Sequence, residues 1–203
     1  MRGKTVLRCS LIALSIVLGA VAHFTSLVSY EVPYIVVVQH AAVQANVMWF
    51  FVLYSHIGDT IVWVGLALLL LALYSSRPRK ALKLLLFLAI ISGIVTTLRL
   101  VFPVQRPYAE FPSQVQAFST ESAPSYPSGH VAPVAGGLYI IAGNARRLQI
   151  VFTAMVILLA VSRIAVGVHY FTDVIGSALF SYPIAAIIND LKLFERFKDQ
   201  LPK

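Results

Sequence analysis

Long apolar runs, broken at short intervals by polar and charged clusters, set the pattern of this 203-residue chain. Apolar segments cover about residues 7–28, 33–54, 59–74, 82–101, 130–143, 148–166 and 172–188. Each is helical by length and composition, and a membrane-crossing helix needs roughly 17–25 residues. The shorter segments fit where the bilayer is thin or where helix ends sit below the headgroups. Together they describe one membrane-embedded domain over residues 1–203, with no room for a second soluble domain. The stretch RGKTVLR and the apolar run ending in AVA at 20–22 have the outline of a signal peptide. Apolar residues continue past that point to Tyr30, so an uncleaved first span is the expectation.

Composition sharpens the class. The chain is 59% hydrophobic and 12% charged, whereas a soluble domain carries about 25% charged residues. A formal net charge of +8 raises nucleic acid as a partner. The basic residues, however, come in short clusters between apolar runs, which is the pattern of cytoplasmic loops, and nucleic acid is set aside. The single cysteine, Cys9, allows no internal disulfide and reads as an apolar residue of the first helix.

Charge also decides the number of spans. With six spans and both termini cytoplasmic, the inner face collects Arg2, Lys4, Arg8, Arg77, Arg79, Lys80, Lys83, Arg146, Arg147, Lys192, Arg196, Lys198 and Lys203, thirteen of sixteen basic residues. A seventh span with an outer N-terminus leaves ten inside, and seven spans with an inner N-terminus put nearly every later cluster outside. The expected fold is therefore all-α and polytopic, with six transmembrane helices plus an interfacial helix at about 33–54. Gln39, His40, Gln44 and Asn46 would form the polar side of that helix.

Three arginines break the charge rule, and charged residues at such depth need a local reason. Arg99 ends the third span and Arg106-Pro107 follows; Arg163 closes the fifth span, ahead of His169 and Asp173. Between them, Pro127-Ser128-Gly129-His130 opens the fourth span. Lys83 to Arg99, His130 to Arg146 and Arg147 to Arg163 are each sixteen residues, or ~24 Å of helix. The three motifs thus share one depth, near the outer face, and short antiparallel connections allow them to meet.

Such a collection suits a phosphate. Three guanidiniums neutralise a dianion and grip its oxygens. The N–H groups of Ser128 and Gly129 at a helix start add donors, and Gly129 permits close backbone approach. Two histidines supply a nucleophile and a proton donor for the leaving oxygen. His169 and Asp173, at i and i+4, share a helix face, so the carboxylate can hold one ring nitrogen and leave the other free to attack phosphorus. His130 has no carboxylate at such spacing, which suits an acid.

The ordered set Arg99-x6-Arg106-Pro107, Pro127-Ser128-Gly129-His130 and Ser162-Arg163-x5-His169-x3-Asp173 resembles the signature of the type 2 phosphatidic acid phosphatase superfamily. The resemblance runs from about residue 58 to 190. It implies a phosphohistidine at His169 oriented by Asp173, and protonation of the leaving group by His130. It further implies phosphate binding by Arg99, Arg106, Ser128, Gly129 and Arg163, with no metal and no cofactor. Arg99 stands where the family usually has lysine. The expected activity is hydrolysis of the terminal phosphate of polyprenyl diphosphate, phosphatidylglycerophosphate or phosphatidic acid at the outer face of the cell membrane. A phosphotransferase with a hydroxyl acceptor is the alternative. The partners are then the lipid phosphate, free phosphate and the bilayer itself; nothing in the sequence sets the oligomeric state.

The remaining polar residues have plainer readings. His23, His40 and His56 match no motif and read as structural or interfacial. Asp59 reads as a cap for the second span after Gly58, with a substrate contact by His56 or Asp59 as the sharper alternative. Trp49, Tyr54 and Trp63 fit an aromatic belt. Residues 103–127, with five of the ten prolines, form a long outer loop, an entrance or lid in which Tyr108, Glu110 and Tyr126 are candidates for headgroup discrimination. Residues 189–203 read as a short cytoplasmic helix or tail.

Overall fold

The computed structural model describes residues 2–74 and 78–192. Arg77, Arg196, Lys198, Lys203 and most of the C-terminal tail lie outside the described residues. Among the described residues nine α-helices follow in order: α1 Arg2–Phe24, α2 Leu27–Gln44, α3 Met48–Ser55, α4 Thr60–Leu73, α5 Arg79–Val101, α6 Pro107–Glu110, α7 Val131–Ala142, α8 Arg146–Ala165 and α9 Phe171–Asp190. Four of them, α1, α5, α8 and α9, are long and apolar enough to cross a membrane, while α4 and α7 are shorter apolar helices. Among the described residues no strand occurs.

The surface is inverted relative to a water-soluble protein. Leu100 and Ile61 are 78% and 79% exposed, while Arg163 and Asp173 are 1% and 0% exposed. Outward apolar residues with inward charges are what a lipid solvent requires, because unpaired polar groups in hydrocarbon are costly. The chain is an integral membrane protein.

The stretch expected as one interfacial helix is two. The helices of α2 and the α3 segment meet at 113°. The break has a local cause: Asn46 adopts φ 55°, with Val47 N–H donating to Ala42 O at 2.9 Å and Asn46 N–H to Val43 O at 3.0 Å. This is the hydrogen-bond pattern of a helix stop that needs a left-handed residue, a role asparagine fills after glycine. The first apolar segment likewise ends earlier than expected, at Phe24, and α2 begins at Leu27.

Helix α7 lies at the centre, against α5, α8 and α9, and α1 packs on α9. Its Gly136 and Gly137 accept the rings of Phe87 and Trp63, which any Cβ would strike. Small residues at helix contacts are the usual means of close packing in membranes. Polar residues in α9 face the same helix: Ser177 Oγ donates to Ser128 O at 3.2 Å, and Ser181 Oγ to Ala132 O. These bonds moor the start of α7 to α9 and use hydroxyls that would otherwise be orphaned in an apolar interior.

The loop between α5 and α7 is anchored on the bundle. Tyr126 runs between Gly19 of α1 and Gly176 of α9, and its hydroxyl donates to Ser15 O at 2.5 Å. The side chain of Gln39 donates to Gln116 O at 2.8 Å and to Ala165 O at 3.0 Å, and accepts from Gln116 N–H at 3.2 Å. These ties carry residues 121–130 over one end of the helices. Basic residues collect at the other end. There Arg8 pairs with Asp190 at 2.7 Å, Lys80 donates to Ile141 O at 2.8 Å and Lys83 to Asn189 O at 2.5 Å.

Candidate active site

Four helix ends converge on one spot: the last turns of α5 and α8, and the first turns of α7 and α9. The end of α8 explains part of this. Gly167 adopts φ 83°, with Gly167 N–H donating to Ile164 O at 3.0 Å and Val168 N–H to Arg163 O at 3.3 Å. The same stop motif as at Asn46 turns the chain sharply, so Arg163 and His169 face one centre although α8 and α9 run in opposite directions.

His169 is fully buried. Its Nδ1 lies 3.1 Å from Asp173 Oδ2, the i, i+4 pairing expected from spacing. The same carboxylate oxygen accepts the Tyr170 N–H at 2.8 Å and the Ser125 hydroxyl. Asp173 therefore binds the first turn of its own helix and the ring together, fixing the ring's orientation. The other nitrogen, Nε2, lies 3.3 Å from Arg106 NH1. Burial first, and then the guanidiniums of Arg106, Arg163 and Arg99, hold His169 well below the usual imidazole range. A ring kept neutral leaves one nitrogen lone pair available.

Arg106 is buried with every part of its fork used. Nε donates to Ala123 O at 2.8 Å, NH1 to Val168 O at 2.9 Å, and NH2 to Glu121 Oε2 at 2.6 Å. Arg163 NH2 donates to the other oxygen, Oε1. Arg163 Nε is buried with no partner among the described residues. His130 Nδ1 stands 3.7 Å from the same Oε1. Glu121 thus lies with each carboxylate oxygen on a different arginine and a histidine beside it. Tyr108 holds its backbone in place, donating to Glu121 O at 2.8 Å and accepting from Glu121 N–H at 3.2 Å.

The remaining expected residues border this centre. Arg99 Nε donates to Pro127 O at 3.3 Å, and a Cβ at position 129 would stand 3.0 Å from Arg99 NH2, so the guanidinium passes over Gly129. It shares a cavity of about 240 Å³ with Glu121, Gly129 and His130, which Ile91, Val95 and Pro133 also line. No carboxylate reaches Arg99 in the hydrogen bonds of the described residues. Ser128 Oγ accepts the Val131 N–H at 3.3 Å, closing the first turn of α7. His130 Nε2 meets Asp59 Oδ1 at 2.9 Å, so His130 does have a carboxylate partner, contrary to the reading from spacing alone. Burial lowers the His130 pKa, and Asp59 partly restores it.

Two of these features escaped the sequence. Glu121 sits in a proline-rich loop with no periodicity, and its partners lie 15 and 42 residues away. Ser125, buried against His169 and Asp173, precedes the proline motif by only two residues, and that adjacency was the available signal. Ligand atoms of Glu121, His130 and His169 lie within 4.8 Å of one another. A cation there would face the guanidiniums of Arg106 and Arg163, and the donor set fits an anion instead.

A buried, arginine-lined oxyanion pocket at one end of a membrane helix bundle defines the class. The sequence profile of the PAP2 superfamily matches residues 80–195, and the chain belongs to that superfamily. Its fold is similar to a solved structure described as the first transmembrane PAP2 type phosphatidylglycerolphosphate phosphatase from Bacillus subtilis. The TM-score is 0.74 at 19% identity, over 97% of this chain and 98% of that one. No curated protein matches the sequence.

Proposed function

We propose that this protein is a membrane lipid phosphatase that removes a terminal phosphate through a phosphohistidine at His169. The observation that carries the reading is the seat of Glu121: the site already holds an oxyanion, by two arginines, within reach of both histidines. A phosphate taking that place would meet Arg106 and Arg163, with Arg99, Ser128 and Gly129 on its other side. Nε2 of His169 then attacks phosphorus while the bond to the leaving oxygen breaks, and His130 gives that oxygen its proton. In the second half, His130 takes a proton from water as the water's oxygen displaces His169, and phosphate leaves. Asp173 steadies the imidazole throughout. None of these steps needs a metal or cofactor.

A lipid substrate is supported by the cavity, which joins charged Arg99 and Glu121 to apolar Ile91 and Val95 along α5. The phosphate would lie in the polar part while its tail stays in the bilayer. The basic clusters at the opposite end of the helices support an outward-facing site in the cell membrane, with six spans and cytoplasmic termini. Polyprenyl diphosphate, phosphatidylglycerophosphate and phosphatidic acid all fit this chemistry, and the activity in the similar structure's description makes phosphatidylglycerophosphate the first to assay.

The test is phosphate release from these three lipids by purified protein in detergent with a chelator, comparing wild type with His169→Ala. Release by wild type alone is expected, with a phosphoenzyme that survives an alkaline denaturing quench and is lost on acidification. Turnover by the His169→Ala protein would refute the mechanism.

A further inference from the structure

Asp59 occupies the capping position of α4, and its carbonyl accepts the Val62 N–H at 3.0 Å. Its side chain caps nothing. The carboxylate instead lies between two imidazoles, with Oδ1 2.9 Å from His130 Nε2 and Oδ2 3.1 Å from His56 Nδ1. Gly58 makes the approach possible, since a Cβ there would fall 2.5 Å from the Cβ of His130. Nδ1 of His130, the ring's other nitrogen, points toward the Glu121 carboxylate.

The two site histidines are therefore mounted in opposite senses. His169 gives Nδ1 to Asp173 and turns Nε2 to the anion, whereas His130 gives Nε2 to Asp59 and turns Nδ1 to it. From this we infer that Asp59 is the positioning residue of His130, holding its Nε2–H so that the transferable proton sits on Nδ1, facing the leaving oxygen. This rests on the phosphatase reading and adds a residue to it. When the phosphorus–oxygen bond breaks, the Nδ1 proton passes to the departing oxygen, and His130 stays bound to Asp59 through Nε2–H. In the second half Nδ1 takes one proton from the attacking water, and the imidazolium is restored.

Charged neighbours make the pairing necessary. Arg99 of α5 and Arg106 of the loop both oppose a proton on His130, and Glu121 is the carboxylate that substrate would displace. Among the described residues, Asp59 alone offers His130 a carboxylate within hydrogen-bonding distance. His56, exposed, holds the second oxygen of Asp59 and limits its rotation.

The test compares wild type, Asp59→Asn, Asp59→Glu and His169→Ala. Asparagine keeps the size of the side chain and removes the charge. On phosphatidic acid, Asp59→Asn is expected to lose about 10²-fold in kcat, the size of a lost general acid. On an alkylated dinitrophenyl phosphate, whose leaving group is a weakly basic phenolate that needs no acid, formation of the phosphoenzyme is expected to change less than about threefold. The alkaline limb of the kcat profile and the His130 midpoint from imidazole NMR should both move down by about one pH unit, and glutamate should restore part of each. Equal losses on both substrates, or an unmoved His130 midpoint, would overturn the assignment. Inactivity of wild type on every lipid phosphate would count against the phosphatase reading instead, and the NMR midpoint would still decide the role of Asp59.

Discussion

The starts of α7 and α9 face each other across the site, and each presents a histidine backed by an aspartate. At α9 the pair is local: His169 and Asp173 are one turn apart, fully buried, and tied to Tyr170 and Ser125. At α7 the pair is assembled from distant parts. His130 is partly exposed and its aspartate comes from the turn before α4. A buried ring ringed by guanidiniums is kept neutral and fixed, which suits the nucleophile proposed for it. A ring at the cavity's edge, with a carboxylate behind it, can gain and lose a proton during each cycle.

The largest effect should come from the local pair. Asp173→Asn should cut kcat by about 10²–10⁴, as loss of a triad carboxylate does, measured by phosphate release. A loss under tenfold would mean that Ser125 and Tyr170 suffice to orient His169. Next, Arg163→Lys should cost about 10²–10³ in kcat/KM, the size of a lost oxyanion donor, because lysine cannot reproduce the buried fork. Full activity there would place the phosphate away from the Glu121 seat.

A smaller shift separates the two histidines by pH. The pKa of His169 is held well below the usual imidazole range, so in the proposed mechanism the acid limb should fall below that range. His130, its pKa lowered by burial, must be protonated to act in the proposed mechanism, so kcat should fall as pH rises through its pKa. The expected profile has its maximum on the acid side of the usual imidazole midpoint, about 6.5, and a flat profile to pH 9 would remove His130 as the acid.

The smallest change is expected at Glu121. Its carboxylate pairs with Arg106 and Arg163, so on the proposed reading it competes with phosphate for them and weakens apparent affinity. Glu121→Gln should lower the inhibition constant of inorganic phosphate about three- to tenfold. Weaker inhibition would mean that Glu121 stays and contacts the substrate.

The local pair was readable and the assembled one was not, for a physical reason. An i, i+4 relation writes itself into spacing, whereas the links from Asp59 to His130 and from Glu121 to Arg163 depend on how loops are laid over helix ends. Asn46 falls between these cases. An asparagine at that turn was a usable stop signal, but the apolar residues on both sides concealed the break within 33–54. The anchored loop was hidden for the same reason as Glu121, because Gln39 and Tyr126 bond to partners far along the chain.

Hydropathy and the placement of basic residues determined by themselves that the chain is helical, lies in a membrane and carries its three motifs at one depth. Those properties come from burial free energies and helical rise, which act residue by residue. Tertiary structure alone decided which carboxylate stands behind each histidine and which one fills the anion seat. Both were settled by how the turn at Gly58 and the loop carrying Glu121 are laid over the helix ends, at a centre where desolvation makes every charge require a partner.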